Sequence, residues 1–158
     1  MKKIFIMVVI LLFPSAGISG EKPTPDEVKK VMAHYYNGQG KGVYIVDAKF
    51  CADVHDSGPE KHNCKDEFKN NKVPKDSTAV LWFNFFGPED DKASIHYEFK
   101  NDGRTRKVGD FTITGAYRYR TRISIPSDRA GEWEISLSQE LENGDIDLGT
   151  FKYRVAEN

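Results

Sequence analysis

The sequence predicts an all-β fold: an antiparallel sandwich of about seven strands, preceded by one short N-terminal helix. Three observations point there. Beyond residue 41, apolar and polar residues alternate with a period of two in one run after another. Turn signals separate those runs every ten or so residues, and no helical pattern intervenes. The chain divides into a signal peptide at 1–20, a helical segment at 21–40, and one sandwich domain at 41–158.

The opening "MKKIFIMVVILLFPSAGISG" has the layout of a cleaved secretory signal. Lys2 and Lys3 form the positive end, ten apolar residues follow at 4–13, and small residues lead to Glu21. Ten apolar residues fall short of the ~20 that span a bilayer. No cysteine follows the run, so this reading includes no lipid attachment at a new N-terminus. Loss of Lys2 and Lys3 takes the formal net charge from −1 to −3. A weakly acidic chain has no global electrostatic attraction to nucleic acid. The expected location is periplasmic or secreted, with a bacterial envelope as first choice and no membrane span after cleavage.

The helix has both its start signal and its stripe. Thr24 is a candidate N-cap, Pro25 suits the first helical position, and Glu27 completes a Thr-x-x-Glu capping box. Val28, Val31, Met32 and Tyr35 then recur at helical spacing, which predicts a helix from 25 to about 37 ended at Gly38. His34 and Tyr36 lie off the stripe, towards solvent. Strands follow at "GVYIVDAKF" (42–50), "STAVLWFNFFG" (77–87), "KASIHYEFK" (92–100), "RKVGDFTIT" (106–114, interrupted at Gly109), "AYRYRTRISI" (116–125), "EWEISLSQEL" (132–141) and "IDLGTFKYRV" (146–155). "NDG" at 101–103 and "ENGD" at 142–145 read as turns. The charged segment 53–77 reads as loop with one helical turn. The 77–87 strand is apolar on both faces, so it needs a second cover besides the opposite sheet. The N-terminal helix is the candidate, and an aromatic groove left open for a partner is the alternative.

The tail "GEWEISLSQELENGDIDLGTFKYRV" resembles the last hairpin of bacterial immunoglobulin-like and fibronectin-type-III-like domains. Gly131, Trp133, Gly144, Phe151 and Val155 carry the likeness, and the stretch from Val80 is similar to small exported domains of unknown function. The resemblance covers about half of the mature chain. It implies an immunoglobulin-like sandwich and brings no catalytic residues.

The densest chemistry lies in "FCADVHDSGPEKHNC". In an exported chain two cysteines usually pair, so Cys51 and Cys64 are expected to form a disulfide around a turn-rich loop. Closing about 14 residues is worth roughly 3 kcal/mol in the chain-entropy model. The alternative is a metal site made by Cys51, His55, His62 and Cys64, although their spacing matches no common zinc arrangement. With the disulfide formed, His55 and His62 would have Asp53 or Glu60 as companions. A thiol–disulfide oxidoreductase would need a closer cysteine pair at a helix start.

Arg118, Arg120 and Arg122 project from one strand face, with Tyr117, Tyr119 and Thr121 on the other. Three guanidiniums in a row are a candidate anion patch for phosphate, carboxylate or an acidic glycan. Cross-strand pairing with Glu132, Glu134 or Glu98 is the plainer expectation. "PEDD" at 88–91 lacks the spaced oxygen ligands of a calcium loop. No nucleophile elbow, zinc-protease motif or phosphate-cradling glycine loop occurs. These readings converge on a non-enzymatic exported module without cofactor, meeting a protein or glycan of the cell envelope. A periplasmic metal-binding protein is the alternative, and a hydrolase whose site is not local in sequence is a third.

Overall fold

The computed structural model describes residues 22–36, 40–87, 92–114 and 118–157. The expected signal segment, Gly38, "PEDD" and Tyr117 lie outside those residues. Helix α1 (Pro25–Tyr36) is followed by β1 (Tyr44–Val54), β2 (Cys64–Glu67), a 3-10 turn (Lys69–Asn71), β3 (Lys72–Pro74), β4 (Val80–Phe86), β5 (Lys92–Asn101), β6 (Arg104–Thr114), β7 (Tyr119–Ser124), β8 (Gly131–Gln139) and β9 (Ile146–Ala156). The strands form two sheets, one ordered β2-β1-β4-β7 and the other β3-β9-β8-β5-β6.

Alternation builds the core. Phe50, Leu81, Phe83 and Phe85 point inward from the four-stranded sheet, and Ile95, Phe99, Ile135, Leu137, Tyr153 and Val155 meet them from the five-stranded one. Phe50 packs on Tyr153 with ring centroids 5.0 Å apart, and Phe83 on Phe151 at 5.8 Å. Each such side chain contributes about 1.5–3 kcal/mol on burial. Burial pushes the Tyr153 phenol far above its ordinary range, and its O–H donates to the Pro126 carbonyl at 2.9 Å.

The segment 53–77 differs from the loop expected of it. It holds β2 and β3 as well as the 3-10 turn, giving nine strands among the described residues against about seven expected. Charge hid both. β2 extends the disulfide hairpin along β1, with Cys51 opposite Glu67 and Asp53 opposite Lys65. β3 runs parallel to β9 at a sheet edge, where Pro74 is tolerated, and its Val73 is fully buried. Gly109 does not interrupt β6. It sits opposite Tyr97, whose ring occupies the space that a Cβ would take. Beside it, Lys107 lies opposite Phe99 and holds its ammonium 5.9 Å from the Tyr97 and Phe99 rings. A lysine leaning over the core from an edge strand discourages a further strand from adding there. The "NDG" turn has positive φ at both Asp102 (49°) and Gly103 (75°), as a two-residue hairpin of this twist requires.

α1 starts on its capping box. Thr24 N donates to Glu27 Oε2 at 2.6 Å, and Glu27 N donates to Thr24 Oγ1 at 3.2 Å. The helix lies over the outer face of the four-stranded sheet and is half of the second cover that β4 needs. Tyr35 meets Phe86 edge-on at 5.6 Å, and its O–H donates to the Gly42 carbonyl at 2.8 Å. His34, expected towards solvent, instead stacks on Tyr44 at 4.4 Å, while Tyr36 is exposed. No residue of the helix is buried. Val28 and Met32 remain about half exposed, so the stripe faces the sheet without closing on it. None of the helices described is long and apolar enough to cross a membrane.

Candidate functional site

The outer face of the four-stranded sheet is where the sequence concentrates its unspent chemistry. β4 presents Val80, Trp82, Asn84 and Phe86 on this side, because Leu81, Phe83 and Phe85 face the core. β7 lies antiparallel beside it with Arg122 opposite Trp82 and Arg120 opposite Asn84. Tyr119 and Ile123, on the other side of β7, pack against the core. The three arginines therefore share one face, as alternation predicts.

The disulfide loop covers one end of that face. Cys51 and Cys64 are bonded to each other, with Cα atoms 5.8 Å apart. A cluster of Cys51, Val54, Val80 and Trp82, with Cys64 against it, forms a small second core beneath the loop. Backbone bonds lace the loop: His55 N donates to the Asn63 carbonyl at 2.9 Å, and His62 N to the His55 carbonyl at 2.8 Å. The buried Trp82 indole completes the fastening by donating Nε1–H to the His62 carbonyl at 2.6 Å. Loop, indole and disulfide hold one another.

Between this loop and β7 lies a cleft of about 290 Å3, lined by Val54, Asp56, His62, Trp82, Arg120, Thr121 and Arg122. Arg122 Nη1 stands 3.3 Å from Asp53 Oδ1 and 3.9 Å from Asp56 Oδ1. Arg118 is engaged elsewhere, with Nη2 3.1 Å from Glu27 Oε1. The structure thus divides the arginine row: Arg120 and Arg122 line the cleft, while Arg118 anchors the helix. The expected partners of the row are corrected as well. Glu132, Glu134 and Glu98 belong to the five-stranded sheet, where they pair with Arg154, Lys152 and Lys100. Sequence spacing could not show which sheet each strand joins.

The ligand-type side chains of the loop are likewise separated. The disulfide occupies both sulfurs, so the thiolate form of the metal site does not exist in this structure. His55 Nε2 lies 3.3 Å from Glu60 Oε2, His62 lines the cleft, and Asp53 faces Arg122. Among the described residues no three His, Cys, Asp or Glu side chains stand together as a metal cage.

One array was not legible in sequence. Across the outer face of the five-stranded sheet, Ser138, His96 and Asp110 stand opposite one another on three neighbouring strands. His96 Nδ1 and Asp110 Oδ1 are 2.8 Å apart, and both side chains are about half exposed or more. Each neighbour of His96 arrives through strand pairing rather than local sequence, so no motif marks the array.

No family model matches this chain, and no curated protein matches it. Among solved structures, the C-terminal domain of wzt matches with a TM-score of 0.48 at 11% identity, covering 74% of this chain and 75% of that one. That likeness is too slight to carry an argument.

Proposed function

We propose that this protein is a non-enzymatic, exported binding module of the bacterial cell envelope, an immunoglobulin-like sandwich that holds a saccharide in the cleft between the disulfide loop and β7. The lining of that cleft carries the reading. Arg120 and Arg122 supply donors, Asp56 supplies acceptors, and Trp82 and Val54 supply apolar contact. Sugar hydroxyls both give and accept hydrogen bonds, so a cleft mixing both kinds around an apolar patch suits them. Asp53 and Asp56 beside Arg122 offset its charge, which favours a neutral or weakly acidic glycan over a polyanion. A concave polar cleft also suits a sugar better than the broad, flat patch typical of a protein partner.

Export is supported by the disulfide, since such bonds persist in oxidising compartments. The non-enzymatic reading is supported by the placement of the Ser138–His96–Asp110 array. It lies on an exposed sheet face, where nothing holds water away from a reacting carbonyl, and no hydrogen bond joins Ser138 to His96 among the described residues.

The test is calorimetric titration of the protein with neutral and acidic oligosaccharides of bacterial envelopes. Binding of a neutral oligosaccharide, little weakened by salt and reduced about tenfold by Arg122→Ala, is the expected result. Wild type and variant binding equally would sink the assignment of the cleft. Strong binding confined to acidic glycans and lost in salt would restore the anion-patch reading.

A further inference from the structure

The cleft between the disulfide loop and β7 has two unlike walls and a small floor. Asp56 and His62 come from the loop, Arg120 and Arg122 from β7, while Trp82 and Val54 belong to the small core beneath. β7 turns its arginines to this face beside Asn84 and Trp82, and the loop after β1 brings an acid towards them. The walls meet where Arg122 Nη1 stands 3.9 Å from Asp56 Oδ1, and the Asp56 side chain is 84% exposed. A pair so long and so open to water yields to a ligand at little cost. Arg122 keeps its nearer partner, Asp53, at 3.3 Å.

The floor decides what kind of sugar fits. Trp82 is 6% exposed and Val54 7%, and the indole N–H is already committed to the His62 carbonyl. So little apolar surface cannot carry the face of a sugar ring. It matches a single methyl group, set between a carboxylate on one wall and guanidiniums on the other.

We propose that the cleft recognises the acetamido group of an N-acetylated amino sugar, an inference that rests on the saccharide reading above and narrows it. A secondary amide is planar and trans, so its N–H and C=O point to opposite sides. The cleft offers a partner on each side. The amide N–H donates to Asp56 on the loop, and the amide carbonyl accepts from Arg120 and Arg122 on β7. The acetyl methyl rests on Trp82 and Val54. A plain hydroxyl at the same ring carbon is too short to engage both walls and leaves the apolar floor uncovered. The acetamido group is also uncharged, in keeping with the acids that offset Arg122.

The probes are chitotetraose and cellotetraose, which share a backbone and differ only in carrying acetamido or hydroxyl groups. Each is titrated calorimetrically into wild type and into Asp56→Ala. Chitotetraose should bind wild type at least about tenfold tighter, the worth of one hydrogen bond to a charged group. Asp56→Ala, at an exposed position, should keep its melting temperature and bring the two affinities together. Equal affinities in wild type would overturn the acetamido site and leave the saccharide cleft standing. Full preference retained by Asp56→Ala would overturn it as well, by placing the acetyl group elsewhere. Binding of neither tetramer would also overturn it, whereas the saccharide reading falls only if the wider set of envelope oligosaccharides fails too.

Discussion

Asn84 and Glu27 stand 57 positions apart and are joined by a 2.9 Å hydrogen bond from amide to carboxylate. Glu27 divides its two oxygens between separate tasks. Oε2 accepts from Thr24 N and caps the helix, while Oε1 accepts from Asn84 and from Arg118 and ties that helix to the sheet. A capping box is ordinarily a local device. Here it also docks the element it starts, on a helix that buries no residue of its own.

Glu27→Ala should therefore loosen α1 more than the sandwich. The expected cost to helix docking is about 2 kcal/mol, combining a lost cap with an orphaned buried amide. Hydrogen exchange checks it: α1 amides should lose protection while those of β8 keep theirs. Acid should act in the same direction. Burial pushes the Glu27 carboxyl up, but the Thr24 and Arg118 contacts together outweigh it and hold the group below its ordinary 4.5. The docking contribution is thus fully present above pH 4.5 and lost as pH falls through the lower folded-state value. Uniform loss of protection in helix and strands alike would refute this division.

The disulfide governs the saccharide cleft through Trp82. Replacing both cysteines by alanine should cost about 3 kcal/mol of stability, the entropic worth of a loop of this length. Cys51 is fully buried and Cys64 only partly, so a reductant would have to attack at Cys64. When the bond is broken, the loop that accepts the Trp82 indole hydrogen bond at His62 is freed. Trp82 fluorescence should then shift to the red, and oligosaccharide affinity should fall. An unchanged emission spectrum in the double variant would show that the loop stays fastened without its clasp.

Local pattern was enough for α1 and for the seven expected strands, because an apolar face, or for β4 an apolar run on both faces, marks each of them. It also indicated that β4 needs two covers, since Val80, Trp82 and Phe86 are apolar opposite Leu81, Phe83 and Phe85. The actual second cover is shared between helix and disulfide loop, a division that depends on which way the loop folds back. β2 was hidden because a four-residue strand reading Cys-Lys-Asp-Glu carries no apolar alternation, and β3 because three residues ending in Pro74 are too short to show a period. The arginines were visible as a row, but their partners arrive by sheet assignment: Asp53 from β1, Asp56 from the loop and Glu27 from the helix. Asn84 stood out only as an interruption in an apolar strand. Its meaning came from Glu27, far away in sequence.

Gln139 and Gly42 provide the last test, because they join the two sheets where the helix returns to the sandwich. Gln139 is 5% exposed and accepts from Val43 N at 2.8 Å across 96 positions. Gly42 has φ of +70°, and a Cβ there would collide with the Gln139 amide and Ile146. Gln139→Leu keeps the bulk but strands the Val43 N–H, at an expected cost of about 1–3 kcal/mol. Gly42→Ala suffers an unfavourable backbone and the collision, for about 1–3 kcal/mol. Because the two residues touch, the double variant should lose less than the sum, leucine having already removed the amide that alanine would strike. Urea midpoints at constant m decide it. A Gln139→Leu midpoint equal to wild type would mean that water satisfies Val43 and that this junction is not held by the glutamine.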